Sequence, residues 1–318
     1  MLGGEQRRTM HITNLPIKNT AGEGFAVEDR VASWLSCHLL ANVPWPSPQA
    51  GFIEAINCQM RQDGWHFDDF VVELAINREV HRCACSVKSF QIFGVKGAPA
   101  EFGATAWKEW LGKENSPFQR ARDKMAIFAA PHNPAIREAW QGLLELARAG
   151  ISPETLARRQ LEEVEPSALR RDAFASMRCP AEVDVAASGD PEETARLLRS
   201  FYLQEQDFDH NDSQSLKQAL LMCQQALEDT ARSQALQLWH ALLVYAAEIR
   251  NKGGRISLPA LLTRLAPRFP LKQFPRYAEE WQRILQDGQQ QMAALPARIG
   301  GTLSVERQEL LNSISGKA

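Results

Sequence analysis

The stretch DGWHFDDFVVELAINREVHRCACSVKS, residues 63–89, carries the residue types of a hydrolytic centre. Two adjacent carboxylates, Asp68 and Asp69, precede an apolar run, and a second run ends on Lys88. In a strand, alternate side chains share a face, so Ser86 and Lys88 point one way while Cys85 and Val87 point the other. A hairpin folded about residues 77–79 sets residues 68–70 opposite 86–88 and brings a carboxylate to a lysine. A slip of one residue exchanges the faces, so either Asp68 or Asp69 can be the partner. Mg²⁺ takes hard oxygen ligands, often one or two carboxylates with waters and a substrate phosphate. Such an ion neutralises a phosphodiester and lowers the pKa of an attacking water. A lysine beside it steadies the charge that develops in the transition state or orients the water. Asp69 or Asp68 with Lys88 supplies both parts, and Glu28 adds a second carboxylate if its helix packs along the sheet. The same residues also have an ordinary reading, because adjacent aspartates before a strand often mark a turn. A strand lysine is often an edge guard.

The elements that must hold these groups follow from periodicity. Val27, Val31, Trp34, Leu35 and Leu39 recur at helical spacing over 22–42, and Asn42-Val43-Pro44 stops that helix. Strands are predicted at 51–59, 69–76 and 80–89, a short amphipathic helix at 104–113 and a buried strand at 124–131. From about 134 onward the chain is rich in Ala, Leu, Gln, Glu and Arg and reads as wholly helical. A helix over 134–150 ends at glycine, and two or three shorter ones lie between 152 and 204. A long helix runs from Asp212 or Ser213 to about 251 and stops at Gly253-Gly254. Further helices are predicted at 257–265 and from Pro275, the latter with Tyr277, Trp281 and Leu285 on one stripe.

The 318 residues suffice for about two domains, read as 1–150 and 151–318. A net charge of −2 gives no general attraction to nucleic acid, so a polyanion must meet a local basic group. Lys96, Lys108, Lys113, Arg120, Arg122 and Lys124 form the best such group for phosphates. No run approaches the ~20 apolar residues of a membrane span, and the N-terminus lacks the apolar core of a signal peptide. The expected location is therefore cytoplasmic. The six cysteines show no paired CxxC spacing and read as buried thiols rather than a zinc site. His66 reads as a loop histidine, and Trp107, Trp110, Trp140, Trp239 and Trp281 read as core.

The order helix, three strands, helix, strand, with Glu28, Asp69 and Ser86-Val87-Lys88, resembles the PD-(D/E)xK restriction-endonuclease-like superfamily. GFAVEDRVASWLSCHLLAN, QMRQDGWHFDDFVVEL and CSVKSFQ resemble the N-terminal effector nucleases of antiviral STAND NTPases and the double-stranded DNA endonuclease domain of CBASS effectors. Segments of the helical half resemble the linker between such a nuclease and its NTPase. The resemblance implies an α/β core of order αβββαβ over 1–150, followed by an all-α linker or oligomerisation domain over 151–318. It makes Glu28 and Asp69 metal carboxylates, with Asp68 as an alternative ligand, and Lys88 the catalytic lysine. Mg²⁺ is the implied cofactor, with Mn²⁺ able to substitute. Ser86 stands where the family carries Glu, Asp or Gln, so the ion would lean on Asp68, a backbone carbonyl or extra waters. Asp63 and Gln59 are second-tier candidates. The implied function is a DNA endonuclease effector of bacterial anti-phage defence, cutting double-stranded DNA once clustered as a homo-oligomer by a STAND-type module. Two alternatives stand beside it: a non-catalytic interaction module on a degraded core, and a plain restriction-type endonuclease. The terminal Gly316-Lys317 does not make a P-loop, which implies an effector part cut from a longer protein or a stand-alone effector.

Overall fold

The computed structural model describes residues 21–47, 51–77, 79–162, 167–208 and 213–272. The helix expected from Pro275 and the terminal Gly316-Lys317 lie outside them. The chain runs α1 (Ala21–Ala41), β1 (Phe52–Cys58), β2 (Phe70–Ile76), β3 (Glu79–Val87), α2 (Ala100–Leu111), β4 (Lys124–Ala129) and α3 (Pro134–Arg148). It continues through α4 (Pro153–Glu162), α5 (Ala168–Ser176), α6 (Val185–Ser188), α7 (Pro191–Arg199) and β5 (Phe201–Glu205). The last elements are α8 (Gln214–Ala226), α9 (Ala235–Asn251), β6 (Arg255–Ser257) and α10 (Leu258–Leu265).

All six strands form one mixed sheet in the order β5-β4-β3-β2-β1-β6. The β1–β2–β3 meander is antiparallel, whereas β3–β4 and β4–β5 are parallel. This corrects the expected αβββαβ core followed by an all-α domain. The helical half supplies both edge strands, β5 beside β4 and β6 beside β1. Each covers a row of backbone groups that β4 or β1 would otherwise leave open.

Alternation along the strands divides the apolar residues between two faces. Ile56, Phe70, Val72, Cys83, Cys85 and Phe128 face a core built with α1, α8, α9 and α10. Val71, Ala84, Met125, Ile127 and Phe201 face a second core built with α2 to α7. The sheet is thus covered on both sides, which is why its central strands read as nearly continuous apolar runs. α1 presents Val31, Leu35 and Leu39 at helical spacing, and all three are buried. Trp107, Trp110, Trp140 and Trp239 are buried as expected, and so are all six cysteines.

The β2–β3 hairpin differs from its expected geometry by one residue. Ile76 pairs with Glu79, and the turn opens on Asn77 at φ 50°. Asn accepts that left-handed conformation more readily than most residues. Phe70 therefore pairs with Cys85 rather than Ser86. No described helix is long and apolar enough to cross a membrane.

Candidate functional site

The turn shift decides which aspartate meets the end of β3. The Asp69 side chain accepts hydrogen bonds at Oδ2 from the Val87 backbone N–H (2.6 Å) and the Ser86 hydroxyl (3.3 Å). Asp68 meets β3 through a bridge to Cys85, and its carbonyl accepts from the Met60 N–H at 2.8 Å. Ser86 thus has a visible task, since it holds Asp69 in place. The segment leading into this site hangs on Glu109 of α2, which is fully buried. Glu109 Oε2 accepts from the His66 and Phe67 N–H groups at 2.6 and 2.8 Å, and Oε1 accepts from the Ser116 hydroxyl. His66 itself is half-buried, its ring Nε2 lying 3.1 Å from the Lys113 carbonyl.

Glu28 approaches from α1. Its carboxylate is mostly buried and titrates at about 7, chiefly because burial disfavours the charge and secondly because Asp69 is near; Arg250 and Lys88 pull the other way. Asp69 is likewise held above its ordinary range by burial, against the opposing Val87 N–H and the Lys88 charge. Two carboxylates and one lysine from three elements therefore converge at one end of the sheet. Lys88 is half-buried, and its backbone N–H is fixed to the Phe128 carbonyl at 2.8 Å. The site lies beyond the carboxyl ends of the parallel strands β3 and β4, where open α/β sheets commonly bind ligands.

Three residues here were not singled out from the sequence. Arg250, at the end of α9, forks onto Asp29 with Nε–Oδ1 2.7 Å and Nη2–Oδ2 3.3 Å, and its Nε lies 3.8 Å from Glu28 Oε2. Cys58 ends β1 beside this group, and burial pushes its thiol up to about 12. It stays protonated at neutral pH and is not poised as a thiolate ligand.

The second-tier candidates take other places. Gln59 is exposed at φ 56° with its N–H on the Asp69 carbonyl, and Asp63 is exposed on the 3₁₀ turn Met60–Asp63. The basic residues are spread along the side of the molecule that holds α2 to α7. Lys108 pairs with Glu114 (2.7 Å), Lys113 with Asp184 (3.0 Å) and Arg120 with Glu193 (2.7 Å). Arg122 lies 3.4 Å from Asp123, and Lys96 is exposed in the Gly94–Gly97 turn. Four of these five charges are thus already shared with carboxylates. Less of their field is left for a phosphate backbone.

Among the described residues, no three or more His, Cys, Asp or Glu side chains gather into a metal cage. The donor set is instead the pair Glu28 and Asp69. That pair suits Mg²⁺, which commonly takes one or two carboxylates and completes its shell with water and substrate phosphate. Both carboxylates are pushed toward protonation, chiefly because burial disfavours their charged forms.

The chain is similar to the structure of an Acinetobacter baumannii Cap4 SAVED/CARF-domain containing receptor with the cyclic trinucleotide 3'3'3'-cAAA. The identity is 12%, the overlap covers 84% of this chain and 50% of that one, and the TM-score is 0.47. For the Moraxella osloensis Cap4 SAVED/CARF-domain containing receptor the figures are 11%, 75%, 45% and 0.40. The chain spans about half the length of these solved chains. No family model and no curated protein matches it. The solved chains are described as receptors. They overturn the PD-(D/E)xK, STAND-effector and CBASS-endonuclease recognition, and with it the role of a DNA endonuclease effector in anti-phage defence. At these identities and scores the overlap itself lends the chain no function.

Proposed function

We propose that the chain hydrolyses phosphodiester bonds at a Mg²⁺-dependent centre built from Glu28, Asp69 and Lys88. The observation that supports this is their convergence from α1, the start of β2 and the end of β3. Glu28 and Asp69 would hold the ion, and Mn²⁺ would serve in its place. When bound, the ion supplies charge neutralisation and a more acidic water.

The rest is done by the chain itself. The Val87 N–H and Ser86 hydroxyl both bond one Asp69 oxygen, Oδ2, and so fix the orientation of the carboxylate. Serine at position 86 is therefore compatible with a working centre, because it orients the aspartate rather than replacing a ligand. Lys88, anchored by its backbone to β4, offers an ammonium to the non-bridging oxygens as negative charge builds on them.

Bis(p-nitrophenyl) phosphate is a direct probe, because its hydrolysis requires no sequence or structure in the substrate. Wild-type protein with Mg²⁺ or Mn²⁺ is expected to release p-nitrophenol, EDTA to stop it, and Lys88→Ala to slow it at least ~100-fold, as loss of a transition-state charge partner does. No release with either ion, or equal rates in wild type and Lys88→Ala, would sink the proposal.

A further inference from the structure

Glu28 and Asp29 are neighbours on α1, and Arg250 meets both, Asp29 more closely. Asp29 takes the guanidinium fork, while Glu28 Oε2 lies 3.8 Å from Arg250 Nε and feels the nearby Asp69 charge. Arg250 is only 4% exposed, at the last turn of α9, far along the chain from any residue of the centre. A guanidinium in that place is favoured by the carbonyl end of the helix. Its planar fork fixes both distance and angle to a carboxylate, which a point-charge ammonium does not. The fork thereby ties to the end of α9 the turn of α1 that carries Glu28.

The surroundings reinforce the grip. Just beyond Arg250, Gly253 takes φ 60° and the chain turns back so that the Gly254 carbonyl accepts from the Cys58 N–H at 3.0 Å. The next residue, Gln59, donates its N–H to the Asp69 carbonyl at 3.1 Å. The end of α9 is thereby tied to Asp29 of α1 through the Arg250 fork and to the Asp69 backbone through Gly254, Cys58 and Gln59.

We infer that Arg250 is the positioning residue of the Glu28–Asp69 centre, acting through Asp29, so that α9 is part of the site. This rests on the cation-binding reading above. Arg250→Lys keeps the charge and removes the fork, and Asp29→Asn removes the fork's acceptor.

Mn²⁺ binding to the full chain, measured by isothermal titration calorimetry well below the melting temperature, tests this. Each single variant is expected to raise the Mn²⁺ Kd about tenfold, and the double variant to be no weaker than either, because both remove one linkage. Leu261→Ala, an equally buried change in α10, is the control for lost stability and is expected to leave Kd unchanged. An unaltered Kd in folded Arg250→Lys, multiplied losses in the double variant, or the same loss in Leu261→Ala would overturn the inference. If wild type binds Mn²⁺ and Glu28→Gln or Asp69→Asn abolishes binding, such a result removes Arg250's role alone. If wild type binds no Mn²⁺, the cation reading falls and this inference with it. Should Arg250→Lys not fold, Asp29→Asn alone decides by the same Kd criterion.

Discussion

At the scale of single residues, Asp68 and Asp69 make a sharp contrast. Asp69 is the one locked to Ser86 and Val87, so Asp69→Asn should lower Mg²⁺-dependent hydrolysis of bis(p-nitrophenyl) phosphate at least ~100-fold. Asp68→Asn should change it less than about threefold, and equal losses from the two would show that the aspartates share the work. His38 gives a prediction about pH. It is buried in α1 with its Nδ1 3.4 Å from the Val43 carbonyl, and burial lowers its pKa from 6.5 to about 4. The unfolded chain therefore takes the proton first. The stabilising contribution is complete above about pH 6.5 and is lost as pH falls toward 4, amounting to about 2 kcal/mol by pH 5. Urea midpoints at pH 7 and pH 5 should differ less in His38→Leu than in wild type; equal differences would refute the assignment. Asp69 and Lys88 could be singled out as candidates from the sequence because carboxylates before a strand and a lysine at a strand end announce themselves locally. Glu28, in mid-helix, was a candidate only on the condition that its helix packs along the sheet. Arg250 was not. A cation in the last turn of a helix is ordinary there, and only the fold reveals that Asp29 lies opposite it.

At the scale of elements, strong periodicity was legible and short or interrupted pattern was not. α1, β1 to β4 and α3 fall within a few residues of their expected places. β5 was missed because FYLQE follows a helical stretch and is only five residues long, so its strand character comes from pairing with β4. The long helix expected to 251 is instead α8 and α9, parted at Leu227. There the Leu227–Leu271 bridge and the Glu228 N–H to Pro270 carbonyl bond (2.9 Å) replace helical bonds. A tertiary partner 40-odd residues downstream has outcompeted local propensity. The entry to β2 shows the same dependence on distant groups. Glu109→Leu would leave the His66 and Phe67 N–H groups buried without their acceptor, at about 1–3 kcal/mol each. A loss of at least ~2 kcal/mol in urea unfolding is expected, with hydrolysis falling too because Asp69 follows that segment directly. Unchanged stability would mean that the segment finds other partners.

At the scale of the whole molecule, the division of texture near residue 150 does not coincide with a division of the core. α1 buries Val31, Leu35 and Leu39 against a core that includes Cys223 of α8 and Leu238 and Leu242 of α9. On the other face, Phe102 and Trp107 of α2 share a core with Phe174 of α5 and Leu197 and Leu198 of α7. Each large apolar side chain returned to water costs about 1.5–3 kcal/mol. A dozen of them far exceeds the 5–15 kcal/mol by which a domain is stable. A fragment ending at residue 150 also loses β5 and β6, which uncovers the edges of β4 and β1 and invites association through them. Such a fragment should therefore show no cooperative thermal transition and should aggregate, whereas the full chain should melt in one step by both near- and far-ultraviolet circular dichroism. A soluble fragment with its own cooperative melt would demonstrate that the first 150 residues carry a self-sufficient core. It would also cut the link from α9 to Glu28, since Arg250 would be absent while Glu28, Asp69 and Lys88 all remained. Mn²⁺ affinity in that fragment would then measure directly how much of the centre is built by the second half of the chain.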